Sequence, residues 1–262
     1  GRRRRAASDV RAQKRPHDGL ARAHGGVEIE VFPVARGAVA GHPPEAHGRG
    51  EAFDYLIGER THNFAISAIA AAAAMLRSAG HPVISVNGNA AALVPSELVA
   101  LGGLIGAPLE VNIFHSSKDR EQAICGHLQR HGASDVLLPQ TDATLDYIDS
   151  NRRFVHPEGI LKADVVFVPL EDGDRCEALR KMGKDVVTVD LNPLSRTART
   201  ASVTIVDNLV RAMPVLLEVL QSTPEAPRDA AVILSHFDNA SILAAAEDCM
   251  RGGGVRARAV IG

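Results

Sequence analysis

The chain has 262 residues, 45% of them hydrophobic, which is enough to bury a sizeable core as one large α/β domain or two small ones. Its formal net charge of −2 argues against a dedicated nucleic-acid binder. No segment reaches the roughly 18 apolar residues that a membrane-spanning helix needs. The three cysteines show no pairing pattern and no CxxC, which is typical of a reducing compartment. These features predict a cytoplasmic protein without a nucleic-acid or membrane partner.

The first 45 residues differ in composition from the rest of the chain, because they are rich in Arg, His, Gly and Pro. Within them, only Val27 to Val34 alternates like a strand. The basic run at the start has two interpretations: a tail that binds nucleic acid or membrane, or a solvated end. We predict that residues 1–45 form an atypical segment and that residues 46–262 form the folded domain.

After Gly48, patterns typical of strands and helices alternate along the chain. The predicted helices cover 61–79, 95–105, 118–131, 176–182, 209–220, 227–237 and 241–251. The predicted strands cover 83–86, 109–114, 136–138, 165–168, 186–189 and 203–206. Strands that alternate with helices of about ten residues indicate βαβ units. The fold class is therefore predicted to be α/β, a parallel sheet with helices on both faces, with two further helices at the C-terminal end.

Polar side chains follow five of the predicted strands. In an open parallel sheet, ligands bind at the carboxyl ends of the strands, so these positions are the candidates for a site. They are Asn87-Gly88-Asn89, Asn112 with His115-Ser116-Ser117, Glu171-Asp172-Gly173-Asp174-Arg175, Asp190-Leu191-Asn192-Pro193-Leu194-Ser195-Arg196-Thr197, and Asp207-Asn208.

Several of these residues have a purely structural alternative. Asn87-Gly88 is a turn dipeptide, and Asp174 has capping-box spacing to Glu177. Asp207 is placed to cap the helix that begins near Leu209. Asp172 has no such local role, and acidic loops of this kind hold Mg²⁺ together with phosphate oxygens.

Two arginines are candidates for phosphate contacts. Arg196 stands between hydroxyl residues at a strand end, where a guanidinium can bind phosphate through paired charged hydrogen bonds. Arg49 is flanked by glycines, which let backbone and side chain approach one anion together. The alternative for each is an ordinary surface arginine.

Missing motifs exclude several enzyme classes. The chain has no GxxxxGK[ST], no GxGxxG after a strand, no HExxH and no GxSxG, and its eleven histidines lack metal-ligand spacing. From the residues alone, the sequence predicts an α/β enzyme that binds phosphate or a nucleotide and has no resident metal site.

Five longer strings carry a resemblance to a known family. They are HGRGEAFDYLIGE (47–59), PVISVNGNAAALVP (82–95), EVNIF (110–114), ADVVFVPLEDGDRCEALRKMGK (163–184) and VDLNPLSRTARTASVTIVDNLVRAMP (189–214). Over residues 46–251 the chain resembles the archaeal-type 4-phosphopantoate–β-alanine ligases, the phosphopantothenate synthetases of coenzyme A biosynthesis.

The resemblance implies a Rossmann-like homodimer that joins 4-phosphopantoate to β-alanine through an acyl-adenylate and releases AMP and pyrophosphate. ATP is then a co-substrate, and Mg²⁺ is expected to accompany it. The ATP contacts that it implies are Arg49, Asp190, Leu191, Asn192, Arg196, Thr197, Asp207 and Asn208. The weaker candidates for the phosphopantoate or metal side, chosen by position, are Asn87, Gly88, Asn89, Asp172 and Asp174.

One departure from the family pattern concerns the start of the chain. The family opens with a SHPR-type motif and a helix that bears another ATP-contacting Arg, and residues 1–45 show neither. Arg22 is a weak candidate for that Arg. We therefore expect residues 1–45 not to form the family's opening helix, which leaves an alternative: a catalytically impaired nucleotide-binding or regulatory protein of the same fold.

Overall fold

A six-stranded parallel sheet forms the centre of the computed structural model, which describes residues 50–222 and 230–252. Its strands are β1 (Pro82–Val86), β2 (Leu109–Val111), β3 (Val136–Leu137), β6 (Val165–Phe167), β7 (Asp185–Val189) and β8 (Val203–Ile205). A separate antiparallel pair consists of β4 (Gln140–Thr144) and β5 (Phe154–Val155). All six predicted strands are present, although the second ends at Val111, before the predicted Phe114.

Ten helices lie in the described part of the chain. They are α1 (Glu51–Ile57), α2 (Asn63–Ser78), α3 (Gly88–Leu93), α4 (Pro95–Ile105), α5 (Lys118–Arg130), α6 (Gly173–Lys181), α7 (Arg196–Thr200), α8 (Leu209–Ser222), α9 (Ala230–His236) and α10 (Asn239–Arg251). The predicted α/β class, with helices flanking the sheet and further helices at the C-terminal end, is confirmed. The short helices α1, α3 and α7 were not predicted.

Small side chains let the helices approach the sheet closely. Six alanines of α2 are buried, and this helix contacts β8, α8 and α9. Every residue of β1, β2, β6 and β8 is also buried, as expected for a parallel sheet covered on both faces. The scarcity of aromatic residues therefore does not prevent a dense core, because Ala, Val, Leu and Ile fill it.

The strand order creates a topological switch point. Across the sheet the order is β3-β2-β1-β6-β7-β8. The chain moves outward from β1 to β3, returns to place β6 beside β1, and then moves outward the other way. The loops after β1 and β6 consequently run in opposite directions and leave a crevice between them, which is where ligands bind in open α/β sheets.

The chain between β3 and β6 contains an insertion that the sequence patterns did not predict. Its last turn, Pro157–Leu161, is held by the buried Glu110 of β2, whose carboxylate accepts hydrogen bonds from the backbone N–H groups of His156 at 2.8 Å and Ile160 at 2.6 Å. A Cβ at Gly159 would overlap this carboxylate, so glycine permits the close approach. Burial raises the pKa of Glu110 to about 7, although the two N–H groups oppose the shift.

Some predictions fall outside the described ranges. These are the atypical segment 1–45, with Arg22 and the strand pattern at 27–34, the phosphate candidate Arg49, and the start of the helix predicted over 227–237. Among the described helices, none is long and apolar enough to cross a membrane. The three cysteines are free thiols, in agreement with the lack of a pairing pattern.

Candidate active site

A pocket lies at the switch point between β1 and β6. It is lined by Asn87, Gly88, Asn89, Ile113, Phe114, His115, Arg120, Arg152, Leu170 and Asp172. Four of the five weaker substrate candidates are therefore brought together in one place. The cavity measures about 90 Å³, well below the roughly 300 Å³ of a pocket that encloses a whole ligand. It is suited to one end of a substrate; we call it the switch-point pocket.

Asn87 joins the two loops that form this pocket. Its side-chain oxygen accepts a hydrogen bond from the N–H of Ala90 at 2.9 Å and so caps α3, which replaces the predicted turn. Its amide nitrogen donates to the carbonyls of Pro169 at 2.8 Å and Leu170 at 3.2 Å. Leu170 has a φ of 56°, a left-handed conformation that costs a non-glycine residue about 1–3 kcal/mol. Asn87 helps to hold this strained loop.

Buried ion pairs form the floor of the pocket. Arg152, from the turn before β5, is 4% exposed and contacts Glu171 at 2.5 Å and Asp172 at 2.7 Å. Its Nε also donates to Asn112 at 3.2 Å. The fully buried Arg175 contacts the other oxygen of Glu171 at 2.5 Å and donates to Ser85 at 3.0 Å. Two arginines thus face two carboxylates, and these four charges balance.

The loop after β7 is shaped by its own polar side chains. Asp190 accepts hydrogen bonds from the N–H of Asn192 at 2.9 Å and from the hydroxyl of Ser195 at 2.5 Å. Burial raises the pKa of Asp190, and the bonds from Ser195 and Asn192 oppose this shift. Asn192 in turn accepts from the N–H of Leu194 at 3.0 Å, and Ser195 caps α7. Leu191 lies against Gly50, where a Cβ would approach its Cδ1 to 3.3 Å.

Arg196 lies across the first residue of α6. A Cβ added to Gly173 would lie 2.7 Å from the Cβ of Arg196 and 2.9 Å from its Cγ. The Arg196 side chain is 59% exposed, and its contact with Glu177 is long at 3.5 Å, so this cation remains accessible to a ligand. Thr197 is buried and donates to the carbonyl of Glu171 at 2.8 Å, which ties α7 to the loop after β6.

The residues after β8 form an ion-pair cluster that holds α1 in place. Asp207 accepts from Arg211 at 2.7 Å and from the hydroxyl of Thr61 at 2.6 Å. Asp54 of α1 accepts from Arg211 at 2.5 Å and from the amide of Asn208 at 2.9 Å. Burial by itself would lower the pKa of Arg211, but the hydrogen bonds that it donates to Asp54 and the charge of Asp207 raise it.

The structure thus divides the predicted site residues into two groups. The first group lines the switch-point pocket. The second group lies at the ends of β7 and β8 and consists of Asp190 to Thr197 with Asp207 and Asn208. We call this second region the β7–β8 edge. Asp174 lies outside the pocket lining, and its carboxylate accepts the N–H of Arg175 at 2.9 Å.

Sequence reasoning missed two polar residues of the site, Arg120 and Arg152. Arg152 comes from the unpredicted insertion, and Arg120 looks like an ordinary residue of α5. Glu171 was among the strand-end positions, but its pairing with two buried arginines was not predicted.

A resident metal site is not evident in the described ranges, which hold no group of three or more His, Cys, Asp or Glu side chains able to bind an ion. Asp172 is 58% exposed although it pairs with Arg152. It can therefore still offer an oxygen to a Mg²⁺ that arrives with phosphate groups, since Mg²⁺ takes one or two carboxylates and completes its shell with phosphate and water.

Comparison with known proteins gives consistent matches. Residues 64–253 match the sequence profile of the family described as phosphopantothenate/pantothenate synthetase. The 4-phosphopantoate–β-alanine ligase of Methanosarcina mazei is 49% identical over 77% of this chain and 79% of its own length. The ligase of the same name from Thermococcus kodakarensis is 50% identical over 76% of this chain and 77% of its own. The chain therefore belongs to the phosphopantothenate/pantothenate synthetase family.

Proposed function

We propose that this protein is a 4-phosphopantoate–β-alanine ligase that uses ATP and forms AMP. The observation that carries the proposal is the pairing of two neighbouring anion sites at one end of the sheet. One is the switch-point pocket, and the other is the exposed Arg196 at the β7–β8 edge. Relatives that are about half identical over three quarters of the chain bear this ligase name.

ATP is assigned to the β7–β8 edge. Arg196 is the side chain that contacts its phosphates, because its guanidinium is exposed and matches phosphate geometry. The turn Asp190-Leu191-Asn192 and Thr197 shape the wall of this site. Asp207 and Asn208 are assigned mainly to positioning, since both side chains already bind α1, α8 or the loop between α1 and α2. Arg49 remains a proposed contact on the strength of the resemblance alone.

4-Phosphopantoate is assigned to the switch-point pocket. Asn89 and Arg120 supply polar groups there, while Ile113 and Phe114 offer apolar surface to the dimethyl carbon of pantoate. The loop after β6 separates this pocket from the β7–β8 edge, and Glu171 contacts both sides. A substrate with one end in the pocket can therefore reach a nucleotide on Arg196.

The chemistry follows from holding the two substrates side by side. The pantoate carboxylate attacks the α-phosphorus of ATP, an acyl-adenylate forms, and pyrophosphate leaves. The β-alanine amine then attacks the acyl carbon, the amide bond forms, and AMP leaves with the electron pair of the broken C–O bond. Arg196 neutralises charge on the phosphates, and binding in adjacent sites supplies the orientation. A covalent enzyme nucleophile is not required.

Mg²⁺ and a second subunit belong to the proposal as well. Mg²⁺ would be carried by ATP, with Asp172 as the oxygen ligand and Asp174 as a second candidate. The homodimer that the resemblance implies is proposed on that basis alone, as is a cytoplasmic location. The alternative of an impaired nucleotide-binding protein is less favoured, because the curated relatives are named as ligases.

Product analysis tests the proposal. The protein is mixed with ATP, Mg²⁺, 4-phosphopantoate and β-alanine, and nucleotides and organic products are separated by chromatography. We expect AMP, pyrophosphate and 4-phosphopantothenate in equal amounts. ADP with free phosphate would instead indicate an acyl-phosphate mechanism, and ATP binding without turnover would favour the impaired protein.

A further inference from the structure

The family description covers two products, phosphopantothenate and pantothenate, and these differ by one phosphate group. A member of the family therefore needs a feature that accepts or refuses a phosphate on its acid substrate. We propose that Arg120 is that specificity-determining residue here, and that it binds the phosphate of 4-phosphopantoate in the switch-point pocket. This inference rests on the proposed ligase function and assigns a role to a residue that no motif singled out.

The charge balance of the pocket identifies Arg120. Arg152 is compensated, because all three of its guanidinium nitrogens contact oxygens of Asn112, Glu171 or Asp172. Arg120 has no ion pair among the residues that the structure describes. Its Nη1 donates to the backbone carbonyl of His115 at 2.9 Å, which fixes the side chain but leaves its charge unneutralised.

One atom of Arg120 lacks a partner within residues 50–222 and 230–252. Its Nε is buried and makes no hydrogen bond. Buried N–H groups in native proteins almost always have an acceptor, and an anion in the pocket could supply the one that this atom lacks. The Nε atoms of Arg77 and Arg175 also lack an acceptor, but neither residue lines the pocket. An anion in the pocket would accept from Nε and from the second terminal nitrogen together, the paired geometry in which guanidinium binds phosphate.

The size of the pocket favours a phosphate over larger groups. At about 90 Å³ it holds one end of a molecule, and Asn89 provides a further polar side chain beside Arg120. The phosphate is the most highly charged end of 4-phosphopantoate. Placing it here leaves the carboxylate, at the other end of the molecule, to point toward the nucleotide.

The test compares two acid substrates in one set of variants. Steady-state kcat/KM is measured with 4-phosphopantoate and with unphosphorylated pantoate for the wild type, Arg120→Ala, Arg120→Lys and Arg130→Ala. Arg130 is an exposed cation at the other end of α5, so its removal controls for net charge. Thermal melting of each variant checks that it folds. If Arg120→Ala does not fold, Arg120→Lys still allows the comparison of the two acids.

We expect Arg120→Ala to lower kcat/KM for 4-phosphopantoate by roughly tenfold to a hundredfold, the effect of losing a charged hydrogen-bond pair. Its kcat/KM for pantoate and its KM for ATP should match the wild type. Arg120→Lys should show a smaller loss, because it keeps the charge without the planar pair of donors. Arg130→Ala should behave as the wild type with both acids.

Two results would overturn the inference. One is an equal loss with both acids, which would make Arg120 a general structural residue; the other is no loss with either. If the wild type forms no AMP with either acid, the proposed ligase function fails instead. Calorimetry then decides the inference separately, because 4-phosphopantoate should still bind the wild type at least tenfold more tightly than Arg120→Ala. Equal binding would reject it.

Discussion

The switch-point pocket and the β7–β8 edge lie at the same end of one sheet but use their charged residues differently. At the β7–β8 edge, Asp54, Asp207 and Arg211 satisfy one another and fix α1. In the pocket, the pairs formed by Arg152 are complete, yet Arg120 is left with an unpartnered nitrogen. Charged residues at this end of the sheet are therefore of two kinds, those that build the loops and those left for a ligand.

Glu171 is the residue that connects the two regions. Its carboxylate binds Arg152 beneath the pocket and Arg175 in the core, while its carbonyl accepts from Thr197 at the β7–β8 edge. A change at Glu171 should therefore affect both substrates, whereas a change in one region should affect one substrate. The four predictions below use this contrast, and they run from the largest expected effect to the smallest.

Glu171→Ala should have the largest effect, because it removes the carboxylate that two buried arginines share and leaves Arg175 without its ion pair. We expect the free energy of unfolding, measured with urea, to fall by roughly 3–5 kcal/mol. Glu158→Ala is the control. Its ion pair with Lys162 is exposed, so its loss should change the free energy of unfolding far less. Similar small losses in both variants would show that Glu171 does not hold the two regions together.

The buried Glu110 should make the stability of the switch-point side depend on pH. Its pKa is about 7 in the folded protein against an ordinary 4.5, so the folded state keeps this proton more tightly than the unfolded state does. The contribution of Glu110 is full below pH 4.5 and is lost as the pH rises through 7, by up to roughly 3 kcal/mol.

Glu110→Gln removes the titration of Glu110 and leaves that of the histidines unchanged. The difference between the wild type and the variant therefore reports on Glu110 alone. The variant should be less stable at pH 5, since an amide cannot accept from both backbone N–H groups, but its unfolding free energy should fall less between pH 5 and pH 8. Urea unfolding at the two pH values measures the difference. Parallel pH profiles for the wild type and the variant would mean that Glu110 is ionised throughout.

Arg196→Ala should weaken ATP binding with little effect on folding. Losing a charged contact with phosphate costs about 1.5–3 kcal/mol, or one to two decades in affinity. Because the Arg196 side chain is 59% exposed and its contact with Glu177 is long, the melting temperature of the free protein should barely change. Calorimetry and thermal melting give the two quantities. A large fall in melting temperature with unchanged ATP affinity would make Arg196 structural.

Gly173→Ala tests the same cation without removing it. The added Cβ would overlap the side chain of Arg196, so the guanidinium must shift, and we expect ATP affinity to fall by up to about tenfold, or 1.4 kcal/mol. Gly103→Ala in α4 is the matched control. No atom lies within 4 Å of its new Cβ, so it should raise stability by roughly 0.5–1 kcal/mol and leave ATP binding unchanged. Unchanged affinity in Gly173→Ala would show that Arg196 need not occupy its present position.

The sequence was a good guide to the sheet, because its strands are short runs dominated by Val, Ile and Leu, and polar side chains follow five of them. It was a poor guide to the short elements. Helix α7 has five residues, too few to show a period of 3.6, and the capping role of Asn87 looks the same in sequence as a turn. The insertion around Arg152 alternates weakly, since four of the five residues of β4 are exposed.

The candidate site could also be predicted only in part from the sequence. The strand-end candidates follow from the rule that ligands bind at the carboxyl ends of parallel strands, and the structure places five of them in the lining of the switch-point pocket. Arg120 and Arg152 could not be found in this way, because they reach the pocket from a helix and from a turn before β5. Their contribution depends on which charges are already paired, and pairing is a property of the folded chain.

The most direct test of the two-region account is a comparison of both KM values in two variants. KM for ATP and KM for 4-phosphopantoate are measured for Arg196→Ala and Arg120→Ala under the same conditions. The account predicts that Arg196→Ala raises KM for ATP alone and that Arg120→Ala raises KM for 4-phosphopantoate alone. If either variant raises both values equally, or if the two effects are exchanged, the assignment of the substrates to these regions is wrong.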